Sequence, residues 1–251
     1  MVLRDELSNY INTLLNVEYY KDYGPNGLQV EGKAEIRKIV CGVTASLALI
    51  RQAVNLQADA VLVHHGLFWR GQDGRVVGWM KQRLQQLLAH DINLYAYHLP
   101  LDAAPDIGNN AVLGARLGLV ADAYVGEQGI IALGHPQDTD GLTLEALAHK
   151  ITHALNKPPV VVQGDGRLLR KLAWCTGGAQ GYFETAIAAG ADAYITGEIS
   201  EPQMHYAQET GVAFLACGHH ATERFGIQAL TQKVADHFHL HYEYCEIDNP
   251  A

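Results

Sequence analysis

The chain has 251 residues, of which 48% are hydrophobic and 18% are charged, and its formal net charge at pH 7 is −9. This composition is typical of a globular protein long enough for one large domain or two smaller ones. The acidic balance and the lack of a basic stripe argue against sequence-independent binding to a nucleic-acid backbone. A phosphorylated small molecule stays open as a ligand, provided that a local positive charge such as a metal ion neutralises it.

Targeting and membrane signals are missing from the sequence. No apolar run approaches the ~20 residues that cross a bilayer. The N-terminal segment MVLRDELSNYINTLLN spaces its apolar residues as an amphipathic helix does, without the basic start and apolar stretch of a signal peptide. We therefore predict a cytoplasmic protein. Four cysteines lie apart in apolar segments with no CxxC pair, which predicts buried free thiols.

Strand and helix patterns alternate along the first half of the chain. A loop rich in Gly, Pro and Asn, residues 22–32, follows the N-terminal helix. The elements predicted after it are a strand at 38–46, a helix at 47–57, a strand at 58–65, a helix at 76–91, a strand at 92–102 that runs into a loop at Pro100, and a helix at 109–119 with an asparagine cap.

The second half repeats this order. Residues 130–166 read as strand, helix and strand, and the elements after them are a strand at 171–180, a helix at 182–190 closed by Gly190, a strand at 191–198, a helix at 201–210, a strand at 211–220, a helix at 221–238 and a strand at 240–247. The segment ADAVLVHHG resembles ADAYITGEI, and NLYAYHLP resembles VAFLACGHH. These echoes indicate an old duplication.

The alternating elements predict an α/β fold made of two similar α/β units with mostly parallel sheets. We assign residues 1–127 to the first unit, with the C-terminal strand 240–251 as a further member, and residues 128–239 to the second. No low-complexity linker separates the two halves.

Polar side chains gather where the predicted strands end, which is where ligands bind in parallel α/β sheets. They are His64 and His65 after one strand, His98 and Asp102 after another, and His219 and His220 after a third. Glu223 lies four residues after His219. A helix that begins near Ala221 would therefore bring these two side chains to one side of its first turn.

Imidazoles and carboxylates together are the ligand set of zinc, iron, manganese and similar ions. Two such ions about 3.5–4 Å apart, bridged by a carboxylate, form a dinuclear hydrolytic site. The five ligands predicted for such a pair are His64, His65, Asp102, His219 and Glu223. A single histidine at a strand end is more often only hydrogen-bonded, but two HH pairs with HxxxD and HxxxE spacings favour a metal site.

Motifs along most of the chain support a family resemblance. They are DYGPNGLQVEG, VLVHHGLFW, YHLPLDAAPDIGNN, ITGEISE and GHHATERFGIQAL. Together, and in this spacing from about residue 20 to the C-terminus, they resemble the GTP cyclohydrolase I type 2 family, also called Nif-three-like proteins. The length is similar to that of the short bacterial members.

The resemblance implies two α/β domains with a dinuclear metal centre between them, in a toroidal homo-hexamer whose metal sites face an internal cavity. Matched residue by residue, it implies the same five ligands, with Glu223 as the bridging carboxylate. It implies two divalent ions per subunit, and the donor set leaves iron, manganese, zinc and nickel open. His98 matches a position close to the metals, where it would either contact a ligand or be a weak ligand itself, and we predict it as the catalytic residue that shuttles a proton.

The leading functional prediction is a metal-dependent hydrolase acting on a purine nucleotide or a related small molecule. A metal-bound hydroxide would attack C8 of a guanine ring, and the opened ring would lose formate. One alternative is a metal-dependent binding, regulatory or metal-handling protein without catalysis. The other is an α/β scaffold that binds ions only adventitiously. No nucleic-acid or membrane partner is expected.

Several further residues have both a functional and an ordinary interpretation. Glu198 and His205 lie near the strand end that echoes His64 and His65, either in contact with a ligand or substrate or as a helix-start acid and a surface histidine. His220 is expected to make a structural hydrogen bond.

Three weaker signals complete the candidates. Asn26 and Gln29, in the loop that resembles the family's, are expected to line the cavity. The glycines of CTGGAQG permit close approach of a substrate to the backbone, although the spacing matches no phosphate-binding motif. His149 and His153 are predicted to lie on a solvated helix face.

Overall fold

The computed structural model describes residues 1–251 and divides the chain into two compact units. The first unit comprises Met1–Leu101 and Gly226–Asp248, and the second comprises Asp102–Phe225 and Asn249–Ala251. Each unit has a sheet and a hydrophobic core of its own. No helix combines the length and the apolar character that crossing a membrane requires.

The first unit is built on a five-stranded sheet and a separate two-stranded ribbon. Its strands are β1 (Val2–Leu3), β2 (Gly27–Val30), β3 (Glu35–Ile36), β4 (Lys38–Thr44), β5 (Ala60–His65), β6 (Asn93–Ala96) and β13 (His241–Tyr244). The order in the sheet is β13-β4-β5-β6-β2, in which only β2 runs antiparallel to its neighbour. β1 pairs with β3.

Helices cover the apolar strands of this unit. They are α1 (Arg4–Leu14), α2 (Leu47–Asn55) and α3 (Gly78–Ala89), while α4 (Leu99–Ala103) begins in this unit and α9 (His219–Phe238) ends in it. α2 begins after Ser46, whose side chain accepts a hydrogen bond from the Leu49 amide. Val61 and Val63 of β5 are buried in the same cluster as Leu49, as expected for a central parallel strand.

The second unit is built on a six-stranded sheet. Its strands are β7 (Leu119–Val125), β8 (Ile131–Pro136), β9 (Val160–Val162), β10 (Leu172–Trp174), β11 (Ala193–Thr196) and β12 (Ala213–Ala216). The order is β7-β8-β10-β11-β12-β9, with β10, β11 and β12 parallel and the other pairs antiparallel. Its helices are α5 (Asn109–Leu117), α6 (Leu144–Leu155), α7 (Phe183–Ala188) and α8 (Glu201–Thr210).

Parallel strands at the centre of each sheet confirm the predicted α/β class. The division between the units differs from the predicted one at residues 226–239, which lie in the first unit, at residues 249–251, which lie in the second, and at the segment 102–127. This segment belongs to the second unit because its strand β7, which the sequence patterns did not indicate, pairs antiparallel with β8. The C-terminal strand β13 lies in the first unit, where it pairs with β4.

Two local predictions are wrong. The N-cap of α5 is Gly108, which has no side chain to cap the helix, and the side-chain amide nitrogen of Asn109 donates to Asp102. The predicted loop at 22–32 contains the strand β2, which forms because its backbone pairs with the edge of β6.

All four cysteines are free thiols, as predicted, and three of them, Cys41, Cys175 and Cys217, are buried while Cys245 is half-buried. Burial raises the pKa of the Cys41 thiol to about 12. The thiolate, which is the reactive form, is therefore disfavoured at this position.

One aspartate before a central strand recurs in both units. The Asp59 carboxylate accepts the backbone amides of Arg37 and Lys38 at 2.9 and 3.1 Å. The Asp192 carboxylate likewise accepts the amides of Arg170 and Lys171, both at 2.9 Å. The matching hydrogen bonds agree with the duplication that the sequence echo indicates.

We predict that Asp59→Ala lowers the free energy of unfolding by about 1–3 kcal/mol at pH 7, because two backbone donors lose their acceptor. Burial alone would raise the pKa of Asp59, but hydrogen bonds from Lys33, Arg37 and Lys38 hold it below its usual value. A depressed folded-state pKa stabilises the fold above the unfolded pKa of about 3.9 and ceases to do so as the pH falls through the folded value.

Urea unfolding of both proteins between pH 7 and pH 2, followed by circular dichroism, tests this. The difference between wild type and Asp59→Ala should be largest at pH 7 and shrink on acidification. Asp73→Ala is the control, since Asp73 pairs with Arg75 on an exposed segment and should change nothing measurable. A difference that is constant with pH would contradict the role of the ionised carboxylate.

Candidate metal-binding residues

β5 ends in two histidines, of which His64 has a fully buried side chain. Its ring atom Nδ1 lies 2.9 Å from the backbone oxygen of Tyr97. Because a carbonyl oxygen only accepts, Nδ1 must carry the proton. The other ring nitrogen, Nε2, is therefore the atom that can coordinate a cation.

His65 follows on the same strand and is half-buried. Its register partner on β4 is Thr44, and the Thr44 hydroxyl lies 3.1 Å from Nδ1 of His65. The parallel pairing of β4 and β5 therefore supplies the group that orients this imidazole. The His64 and His65 rings lie close, with centroids 4.5 Å apart.

His98 lies just after β6, and its Nδ1 lies 2.7 Å from the carboxylate of Asp22. One ligand atom each of His64, His65 and His98 falls within 4.8 Å of the others. Burial alone would raise the pKa of Asp22, but hydrogen bonds and the charge of His98 keep it below its usual value. The first unit thus brings three predicted site residues together.

A small cleft in the first unit is lined by both His64 and His98. Asn26 and Gln29 line it too, with the aromatic rings of Phe68 and Trp69 among the other walls. Gln29 accepts the Leu67 amide at 2.8 Å, which holds the segment after the HHG motif in place. The loop residues singled out from sequence therefore lie beside the histidines of this unit.

Asp102 lies in the second unit and is 4% exposed. Its Oδ1 accepts the Asn109 amide at 2.9 Å and the Thr176 hydroxyl at 3.2 Å. The Thr176 backbone amide is in turn held by Asn110 at 2.9 Å. The Asp102 carboxylate is therefore held in place by donors of its own unit.

α9 begins at His219, two residues before the predicted start near Ala221. His219 and Glu223 are therefore separated by one helical turn, and Nε2 of His219 lies 3.1 Å from the Glu223 carboxylate. Nδ1 of His219 lies 2.6 Å from the Glu198 carboxylate. Burial alone would lower the pKa of His219, but Glu223 and Glu198 raise it to about 9.

A glycine-containing loop lies close to the Glu223 carboxylate. Gly177 has a left-handed backbone with φ +69°, and a Cβ there would lie only 1.9 Å from a carboxylate oxygen of Glu223. The Gly177 amide donates to the Thr222 hydroxyl at 3.0 Å, and its carbonyl accepts the Gly197 amide at 2.9 Å. Gly177 of the CTGGAQG motif thus leaves room for the Glu223 carboxylate, and the predicted contact of this motif with a substrate stays a prediction.

The donor chemistry of these residues fits a divalent cation. In His64 and His219 an acceptor without a proton holds Nδ1, so that Nε2 is the ring nitrogen suited to coordinate a cation. A hydrogen bond that fixes the orientation of a ligating imidazole in this way is usual in metal sites. Buried carboxylates at Asp102 and Glu223 add the oxygen donors.

The remaining sequence candidates divide clearly. Glu198 contacts a predicted ligand, His219, as its functional interpretation required. His205 pairs with Glu201 at 3.0 Å on an exposed helix face, which is the ordinary interpretation. His220 is buried, and its backbone amide donates to Ala251.

Sequence reasoning missed the residues that hold the predicted ligands. Asp22, Thr44 and Thr176 hold the side chains of His98, His65 and Asp102, respectively, and none of the three was a candidate from the sequence. Only Thr44 had a usable signal, because pairing two predicted parallel strands places it beside His65.

The fold and the donor groups define an α/β protein that carries candidate metal-binding clusters of histidine and acidic residues. A profile of the Duf34/NIF3 (NGG1p interacting factor 3) family matches residues 2–250. The chain belongs to this family. Two curated relatives, both called GTP cyclohydrolase 1 type 2 homolog, come from Neisseria meningitidis serogroup A, 50% identical over all of both chains, and Vibrio cholerae, 45% identical over 98% of each.

Solved structures agree with this membership. Protein ybgI, described as of unknown function, is 45% identical with a TM-score of 0.95, and the match covers all of both chains. TTHA1606 from Thermus thermophilus is 34% identical with a TM-score of 0.90, again over all of both chains. Reduced HcgD from Methanocaldococcus jannaschii shares the fold, with a TM-score of 0.86 at 23% identity over 98% of each chain.

We predict that Gly177→Ala reduces the metal bound per chain, because the new methyl group displaces the Glu223 carboxylate. The left-handed backbone adds a strain of about 1–2 kcal/mol. Elemental analysis of the purified protein measures the metal, and thermal unfolding measures the strain.

Gly181→Ala is the matched control, since a Cβ at Gly181 meets no atom within 4 Å. It should keep the metal content of the wild type. Equal metal in the two variants would show that the position of Glu223 does not govern metal binding.

Proposed function

We propose that this chain is a dinuclear metal-dependent hydrolase that acts on a purine nucleotide or a related small molecule. The observation that carries the proposal is the fixed orientation of the imidazoles, in which His64, His98 and His219 donate from Nδ1 to fixed acceptors. The name of the curated relatives, GTP cyclohydrolase 1 type 2 homolog, supports the choice of substrate class.

In this proposal five residues are the ligands of two divalent ions, and Glu223 is the bridging carboxylate. They are His64, His65, Asp102, His219 and Glu223. Only two of the five are anionic, so the loaded site would keep a net positive charge. Such a site attracts a phosphate group even though the whole chain carries a net charge of −9. The donor set suits iron, manganese, zinc and nickel alike.

Bound ions of this kind lower the pKa of a coordinated water from about 15.7 towards about 7. In ring opening, water adds at C8 of the purine, the C8–N9 bond breaks and N9 takes a proton. A second water then cleaves the resulting formamide at C8–N7, which releases formate and leaves an amine. In this proposal His98 would accept a proton from water at Nε2 and return it to the leaving nitrogen.

A binding role without turnover is the second candidate. The family description, NGG1p interacting factor 3, refers to an interaction. The same donor groups would then hold ions that complete a binding surface, and the substrate panel described below separates the two candidates.

We predict that Glu223→Gln loses most of the bound metal and at least about 100-fold in turnover, because an amide cannot bridge two cations as a carboxylate does. Metal per chain is measured by elemental analysis. Turnover is measured as formate released from a panel of purine nucleotides, GTP first. The matched control is Glu201→Gln, an exposed acid on α8, which should change neither readout.

Full metal and full turnover in Glu223→Gln would contradict the assignment of the ligands. Metal retention in the wild type without formate from any nucleotide would reject the hydrolase and favour the binding role. Clearly sub-stoichiometric metal after native purification would reject both.

We also propose a homo-hexamer, on the strength of the family resemblance. Sedimentation equilibrium should then give six times the chain mass of 27.4 kDa. A monomer at micromolar concentration would contradict this assembly.

A further inference from the structure

Asp22 is a carboxylate buried in a loop that is otherwise partly exposed, and its side chain is only 3% accessible. Four donors surround its two oxygens. Oδ1 accepts from His98 Nδ1 at 2.7 Å and from the Tyr23 amide at 2.6 Å. Oδ2 accepts from the Asn26 side chain at 2.8 Å and from the Leu99 amide at 2.9 Å.

The same loop also holds the backbone of His98. The Asn26 side-chain oxygen accepts the His98 amide at 2.7 Å. Ring and backbone of His98 are therefore both fixed by residues 22–26, a segment more than seventy positions earlier in the chain. This network uses every hydrogen-bonding direction of a carboxylate, and all its partners are donors.

We propose that Asp22 is the positioning residue of His98, holding its imidazole as the Nδ1–H tautomer so that Nε2 is the proton-accepting atom. The catalytic consequence rests on the proposed function. The tautomer does not, because it follows from the hydrogen bonds of the first unit alone.

An amide cannot replace this carboxylate without conflict. If the NH2 group of Asn at position 22 took the place of Oδ2, it would face two donors, the Leu99 amide and the Asn26 side chain. If it took the place of Oδ1, it would donate to Nδ1 of His98, and the imidazole would shift its proton to Nε2. A shape-conserving substitution therefore exchanges the two nitrogen roles, as happens for other carboxylate–histidine pairs.

The direct test is the tautomer of His98 in metal-free protein, read from long-range ¹H–¹⁵N correlations of the histidine rings at pH 8. His98→Asn assigns the signal by its loss. We expect a protonated Nδ1 in the wild type and an unprotonated Nδ1 in Asp22→Asn. An unprotonated Nδ1 in the wild-type protein would overturn the proposal. This outcome can be observed without any substitution at position 22.

The kinetic test uses GTP with formate release. Asp22→Asn should lower kcat by about 10²–10⁴-fold with little change in KM. The double variant Asp22→Asn/His98→Asn should be no slower than His98→Asn alone, since Asp22 acts only through His98. If the kcat losses of the two single variants multiply in the double variant, the positioning role is wrong. Two independent structural effects would combine in that way.

Asp59→Asn is the matched control. Asp59 also accepts backbone amides, but at the opposite end of β5, and its substitution should leave the His98 signal unchanged. If the wild-type protein shows the expected His98 tautomer but releases no formate, the proposed hydrolase activity is contradicted and the positioning role of Asp22 is still supported.

Discussion

The candidate site depends on the hydrogen bonds that Nδ1 donates in His64, His98 and His219. An imidazole with an unfixed ring presents either nitrogen, and a cation would have to select one tautomer at a cost in free energy. In His64 the acceptor is a backbone carbonyl, and in His98 and His219 it is a carboxylate. The donor groups are therefore oriented before any ion binds.

Paired strands and short loops also position the residues that surround the candidate ligands. Thr44 reaches His65 because β4 and β5 are parallel and in register. Asp102 is held by Thr176, which follows β10 in the same unit. Gly177, the next residue, leaves room for Glu223. The strands thus position the candidate ligands and also the residues that orient or accommodate them.

The sequence predicted the parts of the fold that local patterns encode. β5 is a continuous apolar run, and α8 matches its predicted bounds of 201–210, with a capping box at Ser200. It did not predict β2, because that strand depends on the distant edge of β6. It could not assign the Asn109 amide to Asp102, because only the folded α4–α5 connection brings the two together.

The candidate site followed the same rule. His64, His65, His219 and Glu223 were visible as motifs because their spacing alone suggests ligands. Asp22 was not, since an aspartate in a Gly- and Pro-rich loop is usually a turn residue. Its partner His98 lies 76 positions away, and no local pattern joins them.

Asp59 and Asp192 occupy equivalent positions before a central strand of each unit. Residues at the same distance after the two aspartates can therefore be compared. Six residues after each aspartate stand His65 in one unit and Glu198 in the other. A gene doubling would have begun with the same amino acid at both places. The two units now present an imidazole at one of these equivalent positions and a carboxylate at the other.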